Sequence, residues 1–318
     1  MSETERQKLI EKNIAQVKEK ATKGNHYTAV IKPFYYGNQY FMYVNEVFKD
    51  VRLVGAPPSN IGKFGGDTDN WMWPRHTGDF SVFRVYANKD GKPAEYSKDN
   101  VPYTPKKHLK INIKGVNEGD FTFVFGYPGT TKQFLTSDAV DYVQNVEDPT
   151  RIKLRTARLD VYNRAMNESP AQRLRYASKV ASVANGWKKW QGEVRGLKRL
   201  NAIEKKKAFE KDFNAWAQDK EEYRDVLAQL KKTYADIKDL NLSYTYLSEA
   251  IFASDLMNQV KNVANIISLS EKNGKNEAEI VALTEKFYNS LQNYYSKDYV
   301  NHRKVDKEIF VKTMSIFY

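Results

Sequence analysis

Apolar residues recur at three- and four-residue spacing at the start of the chain, then alternate, then return to helical spacing for the second half. Leu9, Ile10, Ile14 and Val17 sit among Lys, Glu and Gln, which predicts a charged helix over residues 1–24, closed by Gly24-Asn25. Runs rich in Val, Ile, Tyr and Phe follow: Tyr27 to Pro33, Gln39 to Phe48, Val51 to Val54 and Phe80 to Tyr86. His108 to Ile113, Phe121 to Phe125 and Gln133 to Thr136 continue them. Asn88-Lys89-Asp90-Gly91, Asn117-Glu118-Gly119 and Tyr127-Pro128-Gly129 read as the turns between. Short strands with frequent turns over roughly 115 residues predict a sandwich or barrel.

From Asp141 onward the period is helical. Tyr223, Val226, Leu227, Leu230, Tyr234 and Ile237 share one face, as do Val194, Leu197, Phe209, Phe213 and Trp216 before them. Asn167-Glu168-Ser169-Pro170 and Lys272-Asn273-Gly274-Lys275 are the clearest breaks. The division expected is a connecting helix at 1–26, a β region at 27–140 and an α-helical domain at 141–318.

Composition narrows the function classes. The 318 residues are 41% hydrophobic, enough for two cores. No cysteine is present, so disulfides, thiolate metal sites and Cys nucleophiles are excluded. The net charge of +12 is spread: 20 basic against 15 acidic residues up to Val140, then 31 against 24. A nucleic-acid binder would gather that excess into a stripe, so no nucleic-acid partner is expected. No apolar run is long enough for a membrane-spanning helix, and no membrane partner is expected. The charged N-terminus lacks a signal-peptide core, which taken alone points to the cytoplasm.

The densest chemistry lies between Gly65-Gly66 and Gly78. Asp67, Asp69, Asn70, Trp71, Trp73, Arg75 and His76 crowd into one loop, and Asp79 then opens an alternating strand. Two Trp residues two positions apart belong to a loop that folds over something, or else plug the end of a barrel. A calcium loop starting at Asp67 fails, because Met72 and Gly78 stand where Gly and Glu are required. The four histidines, His26, His76, His108 and His302, offer no zinc-ligand pair, and no metal is expected. No Ser is followed by Gly, so a nucleophile on a Gly-rich turn with an oxyanion hole is missing, and no His is placed as its base.

Asn70-Trp71-Met72-Trp73-Pro74-Arg75-His76-Thr77-Gly78-Asp79-Phe80-Ser81 resembles the signature of the bacterial dipeptidyl-peptidase 7 and 11 group of serine exopeptidases. Gly119-Asp120-Phe121 to Gly129 and Asn185-Gly186-Trp187-Lys188 with Gly192 resemble it as well. The resemblance implies an α+β fold: part of a chymotrypsin-like double β-barrel followed by a large inserted all-α domain. It implies the triad Asp at Asp79, and a subsite for the substrate's free α-amino group at Asn70, Trp71 and Asn185. Amide oxygens and an aromatic face can hold an ammonium without a counter-ion. The implied partner is a peptide with a free N-terminus, the implied cofactor is none, and a homodimer suits the intact enzyme.

Two departures matter. The group's catalytic His lies farther ahead of the motif than the 78 residues that precede Asp79, and its nucleophilic Ser lies beyond Tyr318. The expectation is therefore an interior portion of a periplasmic or cell-envelope enzyme, inactive alone. A stand-alone peptide-binding or assembly module, complementing a second chain that carries His and Ser, is the alternative.

Overall fold

Ser2 starts the first helix by a reciprocal cap: Glu5 N–H donates to its Oγ (3.3 Å), and Ser2 N–H to the Glu5 carboxylate (2.8 Å). Helix α1 (Glu3–Thr22) then runs until Gly24 turns the chain at φ +73°. The computed structural model describes residues 1–124, 126, 132, 134–271, 277–296 and 299–318, with backbone alone for Tyr36 and Asp67. They form two compact units, one of residues 1–64 and 76–125, the other of 65–75 and 126–318.

In the first unit, β1 (Thr28–Phe34) and β2 (Gln39–Asn45) make an antiparallel hairpin from Thr28↔Asn45 to Phe34↔Gln39. α1 contributes Ile10, Ile14 and Val17 to an open pocket of about 340 Å³ also lined by Ile31, Tyr40 and Met42. β3 (Asp50–Gly55), the short helix α2 (Ser59–Gly62), β4 (Val82–Ala87) and β5 (Val101–Pro102) follow. The second sheet is antiparallel in the order β3-β4-β5, with an irregular register between Leu53 and Gly55. Asp50, buried at the start of β3, accepts from Arg52 (2.8 Å) and Asn100 (2.9 Å) and so ties the sheet to its loop.

The expected strand at His108 to Ile113 does not form, nor one at Phe121 to Val124. Both stretches lie outside regular structure, with Leu109, Ile111 and Ile113 at 88–94% exposure. Alternation marks a strand-like face, but a ladder needs a neighbour to take its N–H and C=O groups, and none pairs with it among the described residues. The two small sheets do not close on themselves. Phe125, Gln133, the Tyr127-Pro128-Gly129 turn and the Lys272–Lys275 break lie outside the described residues.

The second unit is mostly helical. It comprises the loop helix α3 (Gly66–Asp69), α4 (Ser137–Tyr142), α5 (Asp148–Glu168), α6 (Pro170–Arg199), α7 (Ala202–Ala217), α8 (Val226–Tyr246), α9 (Asp255–Ser270), α10 (Glu277–Tyr295) and α11 (Val300–Phe317). Ser169 caps α6 through Gln172 N–H (3.2 Å) and Pro170 opens it, as the expected break implied. The face expected to run from Val194 to Trp216 is instead divided between α6 and α7. Asn201 adopts a left-handed conformation at φ +49° between them, which Asn tolerates better than most residues.

Two wide π-turns depart from the α-helical ladder: Val143–Glu147 joins α4 to α5, and Leu247–Ile251 ends α8. Buried Thr313 of α11 donates its hydroxyl to the Ala250 carbonyl in the second of them (3.0 Å). The core lies between α5, α6 and α11, where Leu159, Tyr162, Tyr176, Val180, Val305 and Ile309 are buried together.

Candidate functional site

The loop 65–75 and the middle of α6 meet within the helical unit. Gly65 admits the loop at φ +72°, where an added Cβ would overlap the Asp69 side chain. Trp71 Nε1–H donates to Asn185 Oδ1 at 2.9 Å and to the Asn185 backbone oxygen at 3.0 Å. Asn70 Nδ2 donates to the same Oδ1 at 3.0 Å. Three of the four residues singled out by the sequence are thus joined across 115 positions.

An indole N–H can only donate, so the Asn185 atom facing it must be oxygen. That atom's two lone pairs are then filled, and the Asn70 atom facing it must be the NH₂ group. Asn70 Oδ1 is left pointing elsewhere as an acceptor. The amide orientations follow from a single indole.

Trp71 itself lies at φ +60°. For a bulky side chain that conformation costs ~1–2 kcal/mol, and it persists where surrounding contacts impose it. Here those contacts are the bonds to Asn185. Lys188, one turn along α6, donates to the Thr68 carbonyl and holds the start of the loop. Met72, Trp73 and Arg75 stay exposed, and Arg75 donates to the Met72 carbonyl (3.3 Å).

Asp79 belongs to the first unit. It is exposed, three residues ahead of β4, and no described residue donates to it. The strand thus starts at Val82 rather than Phe80, and the adjoining Gly78 N–H donates to Ile61 O (3.1 Å).

The histidines are spread through both units. His26 pairs with Glu46 (2.7 Å), His76 lies edge-on to Phe64, and His108 is exposed. His302 is buried in the helical core, with Tyr176 Oη at its Nδ1 (3.1 Å) and Asp255 Oδ2 at its Nε2 (2.9 Å). Burial alone would raise the Asp255 carboxyl. The hydrogen bond from His302 and the charge of Lys179 outweigh it and hold the group at about 2. Ser254 stands nearby, but its hydroxyl donates to Asp306 (2.8 Å) and caps Met257 N–H (3.3 Å). That group is a helix-cap assembly for α9, since the Asp306 carboxylate also accepts from Asp255 N–H (2.7 Å) and Leu256 N–H (3.1 Å).

Sequence reasoning missed a buried charge cluster behind Asn185. Arg155 of α5 grips Glu249 through Nη2 (2.7 Å) and Nε (3.0 Å), and Arg158 reaches the same carboxylate (3.0 Å). The signal available was Gly186, a glycine in mid-helix: a Cβ there would lie 2.6 Å from Arg155 Nη1. Asp148, at the start of α5, was missed too. Burial first, then Glu193 and Glu147, push its carboxyl up to about 7. Among the described residues no cluster of three or more His, Asp or Glu could hold a metal ion, and no helix is long and apolar enough to cross a membrane.

The helical unit holds a Trp-rich loop through two amides and an indole, and the other unit is built on small antiparallel sheets. Residues 1–317 match the model of the peptidase S46 family, and the chain belongs to that family. It is 45% identical to an Asp/Glu-specific dipeptidyl-peptidase of Capnocytophaga gingivalis over 99% of its own length and 44% of the relative's. Dipeptidyl-peptidase 7 of Porphyromonas gingivalis is 43% identical over 84% of this chain and 38% of that protein. The crystal structure of Porphyromonas endodontalis DPP11 with the dipeptide Arg-Glu superposes with a TM-score of 0.75 at 40% identity, covering 95% of this chain and 43% of that one. The chain therefore spans less than half the length of these relatives.

Proposed function

We propose that this chain is the portion of a serine-type dipeptidyl-peptidase that holds the substrate's N-terminal ammonium and supplies the triad Asp. The observation that carries this is the Asn70–Trp71–Asn185 network. It leaves the Asn70 oxygen and the Trp71 ring face for a cation, while the Asn185 oxygen keeps both side chains in place. Asp79 orients the catalytic His of the intact enzyme and stabilises the imidazolium. The surrounding fold of that enzyme is a chymotrypsin-like double barrel with the helical domain inserted. It works in the periplasm or cell envelope, without metal or cofactor, on peptides with a free N-terminus, and a homodimer suits it.

Alone, the chain does not hydrolyse peptides on this reading, because none of its serines sits on a Gly-rich turn and none of its histidines pairs with Asp79. The test is a titration with Arg-Glu and with its N-acetylated form, followed by tryptophan fluorescence, together with a dipeptidyl reporter assay. Binding of the free amine alone, with no reporter hydrolysis, is the expected result. Equal binding of both forms would remove the amine site, and hydrolysis that survives repurification and Asp79→Ala would remove the claim of inactivity.

The exposed alternation at Leu109, Ile111 and Ile113 favours a second reading, in which a separate polypeptide carrying His and Ser completes the enzyme. Co-purification of such a chain with restored dipeptide release would establish it.

A further inference from the structure

We propose that Arg155 and Glu249 are positioning residues that set Asn185 for the loop 65–75, an inference that rests on the amine-site reading above. The turn of α6 just ahead of Asn185 is gripped from behind. Arg155 Nη1 donates to the backbone oxygens of Val183 (3.1 Å) and Ser182 (3.5 Å). Those carbonyls lie two and three residues before Asn185, so the guanidinium fixes the tilt of the peptide units that carry it. The guanidinium is itself immobilised. Glu249 holds it at two atoms, and its flat face lies 4.4 Å from the Trp190 ring.

Glycine at 186 is what permits this approach, since any Cβ would press on Nη1. On the neighbouring position, Trp187 Nε1–H donates to Thr156 Oγ1 (2.8 Å), binding the same turn to α5 a second time. Asn185 then faces the loop with its own backbone oxygen and Oδ1 both bonded to Trp71. A side chain needed only to join α5 to the π-turn after α8 could stop at Glu249. Arg155 goes on to the carbonyls under the site residue.

The experiment reads the five indole N–H resonances of the whole chain by ¹H–¹⁵N NMR in wild type, Glu249→Gln and Gly186→Ala. Gly186→Ala removes no charge and displaces the guanidinium by one methyl group. In both variants the ligand-free Trp71 resonance is expected to move, while Trp216 on α7 stays in place and reports an intact fold. Arg-Glu is expected to bind about three- to ten-fold more weakly, the equivalent of one impaired neutral hydrogen bond. A Trp71 resonance and an affinity both at wild-type values, in a variant whose Trp190 resonance has moved, would overturn the proposal. If Glu249→Gln does not fold, Gly186→Ala decides alone. If Arg-Glu fails to perturb Trp71 in the wild type, the amine site falls, and the ligand-free Trp71 shift still decides whether Arg155 positions Asn185.

Discussion

Trp71 donates its indole N–H to both oxygens of Asn185, 114 residues further along the chain. This pairs a strained loop residue with the exposed face of a long helix, and it determines which atom of each neighbouring amide faces outward. Asn185→Ala is expected to release Trp71 and Asn70 to water. Because the site is exposed, stability should fall by less than about 1 kcal/mol, while affinity for a free-amine dipeptide drops. Thermal unfolding and calorimetric titration of the same variant separate the two effects.

Glu249 stands against two guanidinium groups in a site where all three side chains are largely buried. Glu249→Leu would leave both cations uncompensated, and a loss of about 3–5 kcal/mol is expected in urea unfolding. A loss under about 1 kcal/mol would show the cluster to be well hydrated.

Asp148 has one carboxylate oxygen buried without a partner, and its folded pKa of about 7 lies well above the unfolded value near 4. Between those values the folded state keeps a proton that the unfolded chain releases, so stability falls as pH rises from about 4 to about 7. Asp148→Asn is expected to flatten that slope and to stabilise the protein at pH 8 by on the order of 1–3 kcal/mol. Unfolding measured at pH 5 and pH 8 checks both statements.

Asp255 shows the opposite sign. Its carboxyl is held at about 2, so its contribution is complete above the unfolded value near 4 and is lost as pH falls towards 2. Asp255→Asn is expected to cost about 1–2 kcal/mol at pH 7, allowing for solvent screening of this partly exposed group, and almost nothing at pH 2. A cost equal at both pH values would contradict the ion-pair account.

The sequence made the loop legible because two Trp residues amid Asn, Asp and Arg are costly to leave without a purpose. Asn185 was legible only through resemblance, since an Asn on a helix face looks like any solvated polar residue. Arg155 and Glu249, separated by 94 positions, each read as ordinary surface charge. Local spacing cannot reveal that folding buries them together. The strand at His108 to Ile113 was expected because alternation describes one segment, whereas pairing depends on two. The break at Asn201 escaped notice because apolar spacing continues across it and Asn, unlike Gly or Pro, does not announce a stop.

The π-turn at Leu247–Ile251 has a consequence for how this helical unit tolerates change in length. A wide turn holds one residue more than the α-helical ladder would, and each residue of a helix advances its faces by about 100°. Glu249 points at Arg155, and the Ala250 carbonyl meets Thr313, in the frame set by that extra residue. Removing Leu247 or Ser248 would tighten that last turn and rotate Glu249 by about 100° about the helix axis. That rotation would swing the acid away from its arginines. A deletion that looks conservative for the helix would thus disconnect the backing of Asn185.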